Sequence, residues 1–272
     1  MRPDDKHTNY VEKVWREYLT QGETDEERRH RQIFKMLPGY PRCKNCYAPF
    51  DGWGGRVVRV IYNKHPSNLN PNLCNICEDF ARKHQGGAEI ELTLLFVDVR
   101  GSTSLAEKMS PKEFSQLINR LYTTASDILA RTYALIDKII GDQVAGMYVP
   151  GIAGKDHAKR AIEAAQEIMR ATGHGKPGGP WIQLGAGVHT GVAFVGSVGS
   201  EGKTNDITVL GDAANTAARL SAASSQGEIL ISDSAYQKAK FQRSDLEERQ
   251  LDLKGKTQAV SVRVLTDYRS IA

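Results

Sequence analysis

Beyond residue 77 this 272-residue chain has no cysteine. The four it has form two C-x2-C pairs, Cys43/Cys46 in RCKNC and Cys74/Cys77 in LCNIC. Confinement to one stretch argues against the spread-out disulfide framework of a secreted fold. Long apolar runs are missing too: the richest, around LTLLFVDV, is far too short to cross a bilayer. The start, MRPDDKHTNY, lacks the apolar stretch of a signal peptide. One-sided charge is also absent, since 36 Lys and Arg against 32 Asp and Glu leave a formal net charge of only +4. That balance argues against a nucleic-acid-binding arm and leaves room for a basic cleft that takes a polyphosphate. Together these absences predict a soluble, cytoplasmic protein with no membrane span and no nucleic-acid partner.

What is present begins with those cysteines. Each C-x2-C knuckle delivers two sulfurs from a tight turn, so the pair of knuckles predicts a tetrahedral thiolate cage for a structural Zn²⁺. An iron–sulfur cluster uses the same four ligands, and reactive thiols are the third reading. His65 and His84 flank the second knuckle as alternative ligands that four sulfurs make unnecessary. Residues 37–86 are rich in Pro, Gly and Asn and carry little apolar core, another reason to expect a metal. A DNA-binding role lacks the basic helix it would need.

Residues 8–36 predict helix broken near Gly22, with Val11, Val14, Trp15 and Leu19 on one face. HQGGAE reads as a connector. From residue 89 the pattern changes. EIELTLLFVDV predicts a buried strand, and SPKE a capped helix start: Ser110 as cap, Pro111 at the first position, Glu113 closing the box. The helix that follows presents Phe114, Leu117, Ile118, Leu121, Ala125, Ile128 and Leu129 at helical spacing. Then come a hairpin in ALIDKIIGDQVAGMY, a helix over 156–172, and two strands joined at Thr190–Gly191 in WIQLGAGVHTGVAFVGSVG. DITVLGDAANTAARLSAAS predicts a strand running into a helix; GEILIS, a small helix and two closing strands finish the chain. The order predicts an α+β fold of ferredoxin-like type. The domain reading is a helical segment over 1–40, a four-cysteine module over 41–87 and a catalytic domain over 88–272.

Asp98 ends an apolar strand, where a carboxylate is desolvated unless a cation compensates it. Asp142 closes a hairpin after Gly141. Two such carboxylates at adjacent strand ends could hold one or two Mg²⁺ ions against a triphosphate, and RGSTS between them offers backbone N–H groups to phosphate. Singly, each has a plainer reading: Asp98 in an ordinary strand-to-helix turn, Lys138 and Asp142 as a surface salt bridge.

The combination is more specific. LLFVDVRGST, DKIIGD, GVHTGVAFVGSVGS and TVLGDAANTAARL, in this order, resemble the catalytic domain of the class III nucleotidyl cyclases, the adenylyl and guanylyl cyclase family. The resemblance covers roughly residues 88–268, and its most specific part is the N-x-x-x-R spacing of Asn215 and Arg219.

It implies a role for each matched residue. Asp98 and Asp142, with Val99 beside them, match the ligands of two Mg²⁺ or Mn²⁺ ions per active site. Gly101, Ser102 and Thr103 match the phosphate turn. Arg219 matches the arginine on the α-phosphate and Asn215 the ribose-positioning asparagine. Lys254, with Lys256 as substitute, matches a polyphosphate lysine. Lys138 matches the base-reading lysine and Thr208 its partner, a Lys/Thr pair that resembles the subclass containing bicarbonate-responsive soluble adenylyl cyclases.

In the family, sites are shared between two domains paired head to tail. A chain carrying every residue implies a homodimer with two composite sites, acting on ATP.

Ser102, Ile207 and Ala214 depart from the family's commoner residues without removing a chemical group. The alternatives are a cyclase for GTP, UTP or CTP and a degenerate nucleotide sensor. Lys138 argues against guanine, and the intact aspartates, Asn215 and Arg219 argue against degeneracy. A diguanylate cyclase would carry a Gly-Gly-(Asp/Glu)-(Asp/Glu)-Phe loop, which this sequence lacks. His189 reads as a packed strand histidine, and the three tryptophans as packing residues.

Overall fold

Thr24 and the acidic residues behind it explain the first break in the chain. The computed structural model describes residues 3–22, 24–199 and 205–268, leaving the side chains of residues 3–7 and 138–140 outside the description. Helix α1 spans Pro3–Gln21 and α2 spans Asp25–Met36. The Thr24 hydroxyl accepts from the Glu27 N–H, and the Glu27 carboxylate accepts from the Thr24 N–H, so two orphan donors are satisfied at once. Val11, Trp15 and Leu19, one turn apart, form the buried face of α1. The Trp15 indole N–H donates to the His84 carbonyl at 2.8 Å.

Residues 37–86, expected to carry little apolar core, hold helices α3 (Gly52–Tyr62) and α4 (Asn75–Lys83). Phe34, Ala48, Phe50, Val58 and Leu73 pack there around Cys43, Cys74 and Cys77. The helical period was hidden because α3 turns Val60 and Ile61 outward and begins with two glycines among its first three residues. Trp53 corrects the expectation that every tryptophan packs: it is 61% exposed, whereas Trp15 is fully buried.

Strand β1 runs over Gly86–Val99, so the glycines read as a connector already belong to it, with Gln85 bridging to Ser197 in parallel. After it come α5 (Ser102–Lys108), α6 (Pro111–Arg131), β2 (Leu135–Ile140), β3 (Gln143–Tyr148), α7 (Pro150–Ala153), α8 (His157–Thr172) and β4 (Leu184–Gly199). The remainder is β5 (Asn205–Leu210), α9 (Asp212–Ala223), β6 (Ile229–Ser232), α10 (Asp233–Lys238), β7 (Glu247–Leu251) and β8 (Val260–Leu265). The sheet runs β2-β3-β1-β4-β6-β8-β7, with β5 antiparallel on β4. Its first half is the expected ferredoxin-like βαββαβ unit, in the spatial order β4-β1-β3-β2.

The two strands expected to meet at Thr190–Gly191 are one, β4. Gly191 is there for close approach and not for a turn: a Cβ on it would lie 3.0 Å from the Ala213 Cβ of α9.

The chain divides into two compact units, one of residues 1–90, 150–152 and 194–210, the other of 91–149, 153–193 and 211–272. The first contains α1–α4, β5 and the end of β4. In the second, α6 carries the expected Ser110/Glu113 box and buries Ile118, Leu121, Ala125, Ile128 and Leu129. Among the described residues, no helix is long and apolar enough to cross a membrane.

Candidate active site

Asp98 owes its position to the β1–β3 ladder. Antiparallel pairing sets Asp98 opposite Gln143, and the Val99 N–H donates to the Asp142 carbonyl at 3.2 Å. The hairpin turn places Asp142 immediately after Gly141, which takes the left-handed conformation (φ 64°) that a tight turn needs. The Tyr122 hydroxyl holds this turn by donating to the Gly141 carbonyl. Two carboxylates therefore sit on neighbouring strand ends.

Their electrostatics record it. Burial pushes the Asp98 carboxyl above its usual range; the Arg100 guanidinium opposes this and the Asp142 charge adds to it. Burial and the charge of Asp142 likewise push the Tyr122 phenol up. A half-buried Asp98 carboxylate to which the neighbouring Asp142 adds a like charge fits a divalent cation, which would relieve both burial cost and repulsion. Asp98 and Asp142 would supply carboxylate oxygens and Val99 its backbone.

Sequence reasoning missed Arg100. It pairs with Asp98 and also donates to the Ala222 and Ser224 carbonyls at 2.9 and 3.2 Å, which ties the end of α9 to the end of β1. The available signal was a cation two residues after a strand-end aspartate. Gly101 (φ 71°), Ser102 and Thr103 follow at the start of α5, with Gly101 and Thr103 exposed.

Asn215 and Arg219 lie one turn apart on α9, so they share a helix face. Asn215 is exposed and Arg219 partly so. Leu253 packs with Leu220, Leu230, Val262 and Val264, and this anchors the LKGK turn beside α9. A Cβ on Gly255 would come within 3.1 Å of an Arg219 guanidinium nitrogen.

The structure separates the two candidate polyphosphate lysines. The Lys256 ammonium is held by Asp212 at 2.5 Å, a bond that also lowers the Asp212 carboxyl below its usual range. Lys254 stays exposed at the turn.

The backbone of Lys138 pairs with Ala145 just past a register shift that follows Ile136. The shift leaves buried Asp137 as the extra residue, and such a bulge resets which face the following residues take. The Lys138 side chain lies outside the described residues. Thr208 lies in the other unit, on β5 opposite Gly196, and is buried. His189 is the packed histidine the sequence suggested: its ring faces the Ser232 hydroxyl at 2.9 Å, and burial lowers it to about 4.

The four cysteines converge in the first unit. Their sulfurs all lie within 4.8 Å of one another, Cys46 and Cys74 being 3.7 Å apart. A tetrahedron with ~2.3 Å metal–sulfur arms has edges of ~3.8 Å, so the cluster fits the expected cage.

The Lys64 ammonium stands 3.8 Å from both Cys46 and Cys74 sulfurs. Burial alone would lower it, yet the sulfur charges of Cys46, Cys77, Cys74 and Cys43 hold it above its ordinary range. The Asn45 amide donates to the Cys77 sulfur at 3.4 Å and the Cys74 N–H to the Cys43 sulfur at 3.3 Å. Such donors offset the charge that four thiolates bring to a metal. His84 turns its Nδ1 to the Phe80 carbonyl, and His65 to that of Pro66.

A βαββαβ sheet whose strand ends pair two aspartates, followed by a helix with asparagine and arginine one turn apart, defines a nucleotidyl cyclase type of domain. The chain belongs to the family described as the adenylate and guanylate cyclase catalytic domain, whose profile matches residues 87–265. An adenylate cyclase of Anabaena cylindrica is 32% identical over 182 residues, 63% of this chain and 36% of that one. Among solved structures, the adenylyl cyclase CyaB from P. aeruginosa is 28% identical with a TM-score of 0.56, covering 68% of this chain and 98% of that one. The guanylyl cyclase Cya2 is 26% identical with a TM-score of 0.57, covering 66% and 93%. The match spans about a third of the Anabaena relative's length.

Proposed function

We propose that this chain is an adenylyl cyclase that converts ATP to 3′,5′-cyclic AMP and pyrophosphate at two composite sites of a homodimer. The observation that carries the reading is the Asp98–Asp142 pair on adjacent strand ends, where burial and the neighbouring Asp142 charge make the Asp98 carboxylate one that a cation would stabilise. When bound, two Mg²⁺ or Mn²⁺ ions would acidify the ribose 3′-hydroxyl and neutralise the triphosphate.

The residues of the chain then divide the remaining work. Gly101, Ser102 and Thr103 offer donors to phosphate oxygens beside the carboxylates. Asn215 orients the ribose so that its 3′-oxygen faces the α-phosphorus, which converts a search into a positioned attack. As the new P–O bond forms and the bond to the β-phosphate oxygen breaks, charge builds on the α-phosphate. The planar fork of Arg219 stabilises that charge. Lys254 stays with the departing pyrophosphate.

Adenine selectivity rests on Lys138 as donor to a ring nitrogen and on Thr208 as its partner. The exposed apolar side chains Val198 and Leu210 on β4 and β5 favour a second chain as cover. Zn²⁺ in the four-cysteine cage is structural in this reading. It serves the helical and cysteine segments over 1–40 and 41–87, which precede a catalytic domain over 88–272.

The test is incubation of the protein with ATP, GTP, UTP and CTP separately in Mn²⁺, with products identified by mass. Cyclic AMP as the dominant product supports the reading. Dominant cyclic GMP, or no cyclic product from any nucleotide, refutes it.

A further inference from the structure

Strand β5 is held at its start by the two loops that the cysteines clamp together. The Asn70 amide donates to the Asn205 carbonyl at 2.8 Å, with Asn70 itself buried. The Lys44 ammonium pairs with the Asp206 carboxylate at 3.4 Å, and Gln85 donates to the Asn205 side chain at 3.3 Å. Lys44 lies inside the first knuckle, between Cys43 and Cys46, and Asn70 in the loop that leads into Cys74.

The two loops are cross-tied: the Lys44 N–H donates to the Asn72 carbonyl at 2.9 Å and the Cys74 N–H to the Cys43 sulfur. The Asn70 side chain is further fixed through its Oδ1, which accepts from the Asn72 N–H at 3.1 Å. The contacts fall on residues 205 and 206, and Asp206 shares a strand face with Thr208 because side chains alternate with period two.

We propose that the four-cysteine module positions β5 for nucleobase reading, with Asn70 and Lys44 as positioning residues for Thr208. This rests on the reading of Thr208 as a base contact. Nothing in the module touches a reacting atom. Its effect is expressed in how tightly, and how selectively, the base is held. A contact made equally in ground and transition states changes KM and leaves kcat nearly constant.

The experiment is a double-mutant cycle with ATP, GTP and metal content as readouts. Asn70→Ala should raise KM for ATP by about fivefold, the equivalent of one lost hydrogen bond, with kcat held within about twofold. It should also narrow the ATP/GTP ratio of kcat/KM and leave metal content unchanged. Thr208→Ala should raise KM as much or more, and adding Asn70→Ala to it should cost nothing further.

The ion pair gives a second arm that spares the buried loop. Lys44→Asp should raise KM, and Asp206→Lys in the same chain should restore it. If Asn70→Ala does not fold, this arm decides alone.

Equal losses from Asn70→Ala in the presence and absence of Thr208, or a fall in kcat at constant KM, would overturn the proposal. So would an unchanged KM in Lys44→Asp. Were Thr208→Ala itself to leave KM and selectivity unchanged, the base-reading role would fall and this inference with it. Were only the Asn70 and Lys44 variants silent, the base-reading role would stand and the positioning role alone would fall.

Discussion

His157 gives the catalytic core a built-in sensitivity to acid. Its Nδ1 lies 2.8 Å from the Thr93 hydroxyl, which in turn lies 2.7 Å from that of Thr190, so α8, β1 and β4 meet in a buried polar chain. Burial lowers this imidazole from an ordinary 6.5 to about 4; the Lys238 charge helps, and Glu91 and Asp156 oppose. A folded-state value below the unfolded one means that the unfolded chain binds the proton first. The stability at stake is complete above pH 6.5 and is lost as pH falls toward 4. Between pH 7 and pH 5 the linkage amounts to about 2 kcal/mol for this one group.

The perturbation is His157→Gln, which can still bond Thr93 but cannot titrate. Guanidinium unfolding followed by circular dichroism at pH 7 and pH 5 gives both free energies. The wild type should lose about 2 kcal/mol more than the variant across that interval. His189 is lowered similarly and is present in both proteins, so it cancels in the difference. Equal pH dependence in wild type and variant would refute the claim that His157 is held neutral by burial.

The other predictions concern the metals. Asp98→Ala and Asp142→Ala should each reduce cyclisation by two orders of magnitude or more, since several kcal/mol of charge stabilisation are removed. Their circular dichroism should remain that of the wild type. Near-normal turnover by either in saturating Mg²⁺ would remove the two-metal assignment. Elemental analysis of anaerobically purified protein should give about one Zn²⁺ per chain, and Cys74→Ser should lower the thermal midpoint. Iron with labile sulfide and visible absorbance would instead identify a cluster, and absence of metal would leave four thiols as a redox centre.

The sheet was legible because its signals are local. Apolar period in EIELTLLFVDV, a capping box at Ser110–Glu113 and a glycine-centred turn at 141 each determine structure within a few residues. The βαββαβ order then follows from the sequence of elements. The unity of β4 was not legible, because Thr190–Gly191 looks like a turn until Ala213 of α9 is seen to need the missing Cβ. Helices α3 and α4 were hidden by glycine and by outward apolar side chains; their burial comes from a core shared with Phe34 of α2.

In the candidate site, the residues proposed for the chemistry were nominated by motif and family resemblance, and the contacts that support them were not legible. Arg100 and Tyr122 act through contacts with residues 98, 141, 222 and 224, which no local pattern announces. What distinguishes Lys256 from Lys254 is its pairing with Asp212, more than forty residues away in the chain.

The central claim is a nucleotidyl cyclase whose site takes its aspartates from one chain and its base-reading and transition-state residues from another. Mixing inactive Asp98→Ala and Lys138→Ala proteins, with subunit exchange verified by mass, tests it most directly. In a head-to-tail heterodimer one site collects both defects and the other is intact. Cyclic AMP production by the purified heterodimer should therefore reach about half that of the wild-type dimer. No recovery from verified heterodimers would contradict the account, because these residues would then serve one site within a single chain.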